Sequence, residues 1–326
     1  MALLLTIVTL TLIGGTESLA TIAVVDKIDP FHRKSDPNVT LRAMGISNIL
    51  SSPAGSLTII PGGTKSTSNI LASSASMKNL LARVRDAAQN AKTTVLLTGE
   101  TGTGKKFLAR VLHHNGPRAA GPFVKINCTA ISPDMFEREL FGYERGVFAG
   151  AEQRELGLLE QAETGTLFLD EVGDLDAALQ AKLLMILEDR SFRRLGGTED
   201  LTGDFRVIGA SSRDLKQEVT ARRFREDLYF RLNVLTLQLP PLRQRVEDIV
   251  PLSKQCMVKC GMDPGKEVAE IDPAAVVILE LYPFPDNVRE LQNVIEWAMM
   301  CAKGKILTAG DLPLELREVP ATVTSR

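Results

Sequence analysis

The stretch Gly99-Glu100-Thr101-Gly102-Thr103-Gly104-Lys105 constrains this chain more than any other. It has the form G-x-x-x-x-G-K, follows the apolar run Val95-Leu96-Leu97 and precedes residues with helical spacing. In that strand-turn-helix context the glycines let backbone N–H groups approach phosphates. The helix N-terminus favours their negative charge, and Lys105 reaches the β- and γ-phosphates. Lys106 stands where the general pattern has a Ser or Thr to hold magnesium. The metal must therefore lean on another group.

That group lies in Gly165-Thr166-Leu167-Phe168-Leu169-Asp170-Glu171, an apolar strand ending in two acids. Asp170 is expected to hold Mg2+ through water, and Glu171 to polarise the water that attacks ATP. Short apolar runs alternate with helical patterns throughout this region. Residues 93–98 precede 105–113, 123–127 precede 133–140, 166–170 precede 177–188, and 205–211 precede 221–232. Such alternation predicts an α/β fold with a mostly parallel sheet covered on both faces. The opening helix is expected over 77–89, where Met77, Leu80, Leu81, Val84 and Ala87 or Ala88 share a face. From Pro240-Pro241 onward the strand signals fade, and 246–260, 273–281 and 287–302 have helical spacing. The expected layout is an N-terminal segment and linker over 1–69, an α/β nucleotide-binding domain over 70–240, a small all-α lid over 241–312, and a tail over 313–326.

A formal net charge of −2, with 24% charged residues, gives no broad electrostatic footprint for nucleic acid. The four cysteines, Cys128, Cys256, Cys260 and Cys301, are too few for a disulfide framework and point to a reducing compartment. Cys256 and Cys260 lack a second ligand pair and are expected on one helix face, so the only metal expected is nucleotide-bound magnesium. Residues 1–13 are almost wholly apolar, like a signal-peptide core without its basic start. They are too short to span a bilayer. A buried strand and the remnant of an upstream domain are the competing readings.

Seven collinear stretches resemble the AAA+ central domain of bacterial enhancer-binding proteins, the activators of RNA polymerase carrying sigma-54. They are residues 99–105, 123–128, 139–142, 165–173, 224–234, 239–243 and 283–291, all within a matching region of about 70–312. The resemblance implies a P-loop AAA+ three-layer sandwich, ATP hydrolysis with Mg2+, a cytoplasmic location, and a ring, typically a hexamer, with sites between subunits. It assigns Asn127 to restraining the catalytic glutamate. Arg225 and Arg231 match arginine fingers reaching a neighbour's γ-phosphate, and Arg289 matches the lid's sensor arginine. The family's usual residue at Lys106 is Glu, so a missing hydroxyl there is normal while the charge is inverted.

Three departures qualify the resemblance. The partner-binding loop reads Gly146-Val147-Phe148-Ala149-Gly150-Ala151 where the family has GAFTGA, so Phe148, expected at the loop tip, survives and the threonine does not. Ala210-Ser211-Ser212 stands for Ala-Thr-Asn, giving Ser212 the task of reading the γ-phosphate. Phe284 and Asp286 replace a Trp and a Gly, changes expected to alter packing and turn geometry. No helix-turn-helix is legible after the lid, so no DNA binding of the chain's own is expected. The function implied is remodelling of sigma-54 polymerase; the alternative is an ATP-binding paralogue that regulates through mixed rings without remodelling.

Overall fold

The computed structural model describes residues 72–129, 133–260, 268 and 270–318. The apolar N-terminal run, the linker as far as residue 71 and the end of the tail lie outside the described residues. The first helix, α1 (Ala75–Ala88), buries Met77, Leu80, Leu81, Val84, Ala87 and Ala88. It starts two residues before the expected Met77 because Ser74 caps it, its Oγ accepting the Met77 N–H at 3.3 Å. Asp248 fixes that cap in turn, accepting the Ser74 N–H at 2.8 Å and its hydroxyl at 2.7 Å.

Next in order come β1 (Val95–Thr98), α2 (Lys105–His114), β2 (Phe123–Asn127), α3 (Pro133–Phe141) and β3 (Thr166–Asp170). They are followed by α4 (Ala177–Asp189), β4 (Arg206–Ser211), α5 (Glu226–Leu232) and β5 (Leu235–Gln238). The sheet runs β2-β3-β4-β1-β5, with every neighbouring pair parallel. Side chains alternate across a strand, so adjacent residues feed opposite layers. Leu167 and Leu169 of β3 join Leu96, Val207 and the apolar faces of α3, α4 and α5. Phe168 joins Val95, Leu97, Ile208 and the faces of α1 and α2. The result is the three-layer α/β sandwich that the resemblance implied.

Two details differ from the sequence expectation. The fifth strand, β5, lies outside the expected apolar runs, and the helix expected over 221–232 is shorter. Residues Leu215–Thr220 form their own turn of helix capped by Asp214, and Arg222 then turns the chain with φ 57° before α5. Two short antiparallel pairs, Gly142–Tyr143 with Glu155–Leu156 and Ser191–Phe192 with Leu201–Thr202, project from this framework.

His113, near the end of α2, is buried with Nδ1 2.9 Å from Thr166 Oγ1. Burial pushes its pKa down to about 4, with the neighbouring His114 adding to the shift. The unfolded chain therefore binds a proton at pH values where the folded one does not, and stability falls as pH drops from about 6.5 toward 4. The expected loss is on the order of 2–3 kcal/mol. Urea midpoints at pH 7 and pH 4.5 measure it, and His113→Asn should flatten that part of the slope.

Three helices form the lid: α6 (Ile249–Cys260), α7 (Pro273–Leu281) and α8 (Asn287–Cys301). They have their own core, which includes Leu279, Leu291, Ile295 and Cys256. A two-residue parallel pair, Glu270–Ile271 with Ile306–Leu307, ties the strands of chain that flank α7 and α8. Among the described residues no helix is long and apolar enough to cross a membrane, and no cluster of three His, Cys, Asp or Glu could hold a metal ion.

Candidate active site

Parallel strands deliver their C-terminal ends to one edge of the sheet, where ligands of such folds bind. There β1 ends in the glycine loop, β2 in Asn127, β3 in Asp170 and β4 in Ser211. Asn127 and Asp170 are direct neighbours in the sheet register. The loop then turns into α2 through Gly104, which has φ 104° and open space where a side chain would stand. That opening, with the uncapped N–H groups of α2 behind it, fits a phosphate.

Lys105 is only 6% exposed, and its ammonium is satisfied by carbonyls of the loop itself, Gly99 O at 2.8 Å and Glu100 O at 3.2 Å. It also faces Glu171 Oε1 at 3.2 Å. Glu171 sits at φ 57°, in the left-handed region that costs a non-glycine residue energy and clusters at functional sites. Ser212 holds its other oxygen twice, the backbone N–H donating at 2.7 Å and the hydroxyl at 2.8 Å. The carboxylate is thus aimed by a lysine on one side and a serine on the other. Asn127 is placed differently: its Oδ1 accepts from the Thr129 N–H at 3.3 Å and the Thr129 hydroxyl at 2.9 Å.

Asp170 pairs with Lys125 at 2.7 Å. A hard cation needs oxygen donors, and Asp170 at the strand end would offer one to the cation in place of Lys125. Lys106 is exposed, and Lys125 beside it pulls its pKa down. Cys128 follows β2 and is buried; burial pushes its thiol up to about 12, with Asp170 adding to the effect, so it stays protonated.

The lid meets the loop through residues outside the expected site. Asn287, fully buried at the start of α8 with φ 51°, accepts the Leu242 N–H at 2.7 Å and donates to Thr101 O at 2.9 Å. The Val288 N–H donates to Gly102 O at 3.1 Å, and a Cβ at Gly102 would overlap the Asp286 carbonyl oxygen. Arg243 pairs with Glu100 and holds its carboxyl below the usual range, while buried Arg245 donates to Thr103 O at 2.9 Å. The one available signal was Asn287 itself, since asparagine tolerates a left-handed turn that other side chains resist. Asn287→Ala should cost about 2–4 kcal/mol, because it strands buried polar groups and strains the backbone. Thermal melts of this variant beside Asn287→Gly separate the two terms, as glycine loses the same hydrogen bonds but relieves the strain.

The remaining candidates lie further out. Arg225, at the N-terminus of α5, is exposed and forks onto Asp227 at 3.1 and 2.7 Å. Arg231, in its last turn, donates to Leu187 O at 3.1 and 2.8 Å. Arg289 is exposed beside Asp286, 3.2 Å from both carboxylate oxygens. Phe284 is fully buried at φ 45°, so the lid turn keeps its aromatic plug at the cost of a strained backbone. In the loop at 146–151, Phe148 is half-buried rather than at a free tip, while Ala149 is exposed.

Comparison with known proteins fits this geometry. Residues 70–238 match the sigma-54 interaction domain and residues 243–325 the AAA+ ATPase lid domain. The regulatory protein AtoC of Escherichia coli is 44% identical over 252 residues, 77% of this chain and 54% of that protein. The transcriptional regulatory protein ZraR of Klebsiella oxytoca is 43% identical over 227 residues, 70% of this chain and 51% of that protein. The chain therefore spans about half the length of the curated relatives it matches. Among solved structures, NtrX from Brucella abortus in complex with ADP has a TM-score of 0.71 at 32% identity, covering 86% of this chain and 62% of that one. The same protein in complex with ATP has a TM-score of 0.68 over 86% of this chain and 61% of its own.

Proposed function

Because this chain belongs to the sigma-54 interaction domain family of AAA+ proteins, we propose that it hydrolyses ATP and uses the energy to remodel RNA polymerase carrying sigma-54. The observation that carries the hydrolytic part of this reading is the convergence of Lys105 and Ser212 on Glu171 at the mouth of the phosphate loop. The triphosphate lies along the N–H groups of residues 102–105. Lys105 leaves the carbonyls of Gly99 and Glu100 for the β- and γ-phosphates, which frees one oxygen of Glu171. Ser212 keeps the other oxygen aimed, so Glu171 accepts a proton from the water attacking the γ-phosphorus. Asp170 would hold Mg2+, which supplies charge neutralisation at the phosphates.

Arg225 and Arg231 have no role at their own subunit's phosphate loop in this scheme. They reach the γ-phosphate of the next copy in a ring, most simply a hexamer, and Arg289 carries the nucleotide state to the lid. The domains run 70–240 and 241–312, the protein works in the cytoplasm, and Phe148 contacts sigma-54. Sigma-54 binding in the presence of ADP and aluminium fluoride, followed by gel filtration, tests the reading. Intact ATPase activity with no sigma-54 retained would overturn the remodelling role. That result would favour a regulator acting in mixed rings, a reading that Ala149 and the half-buried Phe148 also support.

A further inference from the structure

Phe148 is held by two neighbours. Its ring meets Tyr143 edge-on with centroids 4.8 Å apart, and the Arg138 guanidinium carbon lies 3.9 Å from its centroid, over the ring. Both neighbours sit on fixed ground. Arg138 is carried by α3, which buries Phe136 and Leu140 in the main core. Tyr143 pairs with Glu155 through the backbone and donates its hydroxyl to Glu155 Oε2 at 2.5 Å. Arg138 also lies close enough to Tyr143 to lower its phenol pKa against the stronger upward pull of Glu155.

The loop that carries Phe148 has its own internal closure. Gly146 and Gly150 take φ 85° and 103°, conformations suited to glycine, and the loop closes on itself through Gly146 N–H to Ala151 O at 2.9 Å and Ala151 N–H to Phe148 O at 3.1 Å. A guanidinium stacked on an aromatic face is attracted by the ring quadrupole and presents its planar side to it. Here it clasps the very side chain that the proposed function requires to be offered to a partner.

We propose that Arg138 is a positioning residue for the partner loop: stacked on Phe148, it keeps the aromatic down on Tyr143, and the loop offers Phe148 only when that stack opens. The partner is the sigma-54 of the proposed function, on which this inference rests for its consequence but not for the latch itself. A stack of this kind biases the closed loop by about two- to thirtyfold. Removing it raises the open fraction, and with it the apparent partner affinity, by the same factor while the open form stays in the minority.

Limited trypsin digestion of the full chain reads the latch directly, because Arg145 is exposed at the base of the loop. Cleavage is scored as the new N-terminus at Gly146, relative to cleavage of the exposed Lys303–Gly304 bond in the lid. Arg138→Ala should raise that ratio by about two- to thirtyfold, and Arg138→Lys by less, since it keeps the charge but loses the flat stacking face. Phe148→Leu should raise the ratio too, and Arg138→Ala added to Phe148→Leu should add nothing further. An unchanged ratio in Arg138→Ala and Arg138→Lys, or additive effects in the double variant, overturns the latch. If cleavage responds as expected but sigma-54 binds neither the parent nor the variant, the latch stands and the assigned partner falls. If sigma-54 binds both proteins equally and cleavage is unchanged, the partner stands and the latch falls.

Discussion

Replacing Glu171 with glutamine will slow ATP hydrolysis by about 10²- to 10⁴-fold, the range a positioned general base contributes, while ATP binding persists. Glutamine has nearly the shape of glutamate and can still accept the two hydrogen bonds from Ser212 that hold Oε2. What it cannot do is take a proton from water. The substitution also removes the ion pair with Lys105 at 3.2 Å, so the ammonium meets the phosphates without a competitor. Affinity for ATP should therefore stay level or rise as turnover collapses. Phosphate release and titration with a fluorescent ATP analogue, measured on one preparation, separate the two effects. Turnover within tenfold of the parent would remove Glu171 from the base role.

The second large effect concerns residues far from their own phosphate loop. Arg225→Ala and Arg231→Ala should each lower turnover by about 10³-fold or more, as expected of an arginine that neutralises transition-state charge in trans. The fold should survive, because Arg225 spends its guanidinium on an exposed pair with Asp227 and Arg231 on a single carbonyl, Leu187 O. Mixing gives the sharper result. A subunit with Lys105→Ala has a dead loop but intact arginines, and one with Arg231→Ala has the reverse. Equimolar mixing should recover a measurable part of the parent rate if the arginine acts on a neighbour. A mixture no more active than the sum of its parts would place Arg231 at its own site or at none.

The parts of this fold that were legible in the sequence depend on neighbours close along the chain. The phosphate loop, the strand Thr166–Asp170 and the helix Pro273–Leu281 are each declared by periodicity and by the residues at their ends, and the structure has them at the expected positions. The strand Leu235–Gln238 escaped because it is a short edge strand with one fully buried residue, Leu237, and is separated by a single residue from the prolines that signal a break. The split at Arg222 escaped because a left-handed turn at arginine has no compositional mark.

The site divides along the same line. Lys105, Asp170 and Glu171 could be chosen as a set because chemistry limits what can follow a phosphate loop. Their detailed partners could not, since Ser212 reaches Glu171 across 41 residues and Asn287 reaches Thr101 across 186. Likewise, nothing at position 138 announces an aromatic partner. Arginine on a helix is ordinarily a solvated charge, and only the fold brings Phe148 under it.

The contacts of Asn287, Val288 and Arg245 with the backbone of residues 101–103 join the two lobes at the glycine loop. Hydrogen bonds from the lid end on three successive carbonyls of the glycine loop, those of Thr101, Gly102 and Thr103. From that joint the helix Asn287–Cys301 runs 15 residues, about 22 Å at the usual rise. The smaller lobe is thus joined to the phosphate loop through Asn287, whose side chain bonds at once to the Leu242 N–H and to Thr101 O.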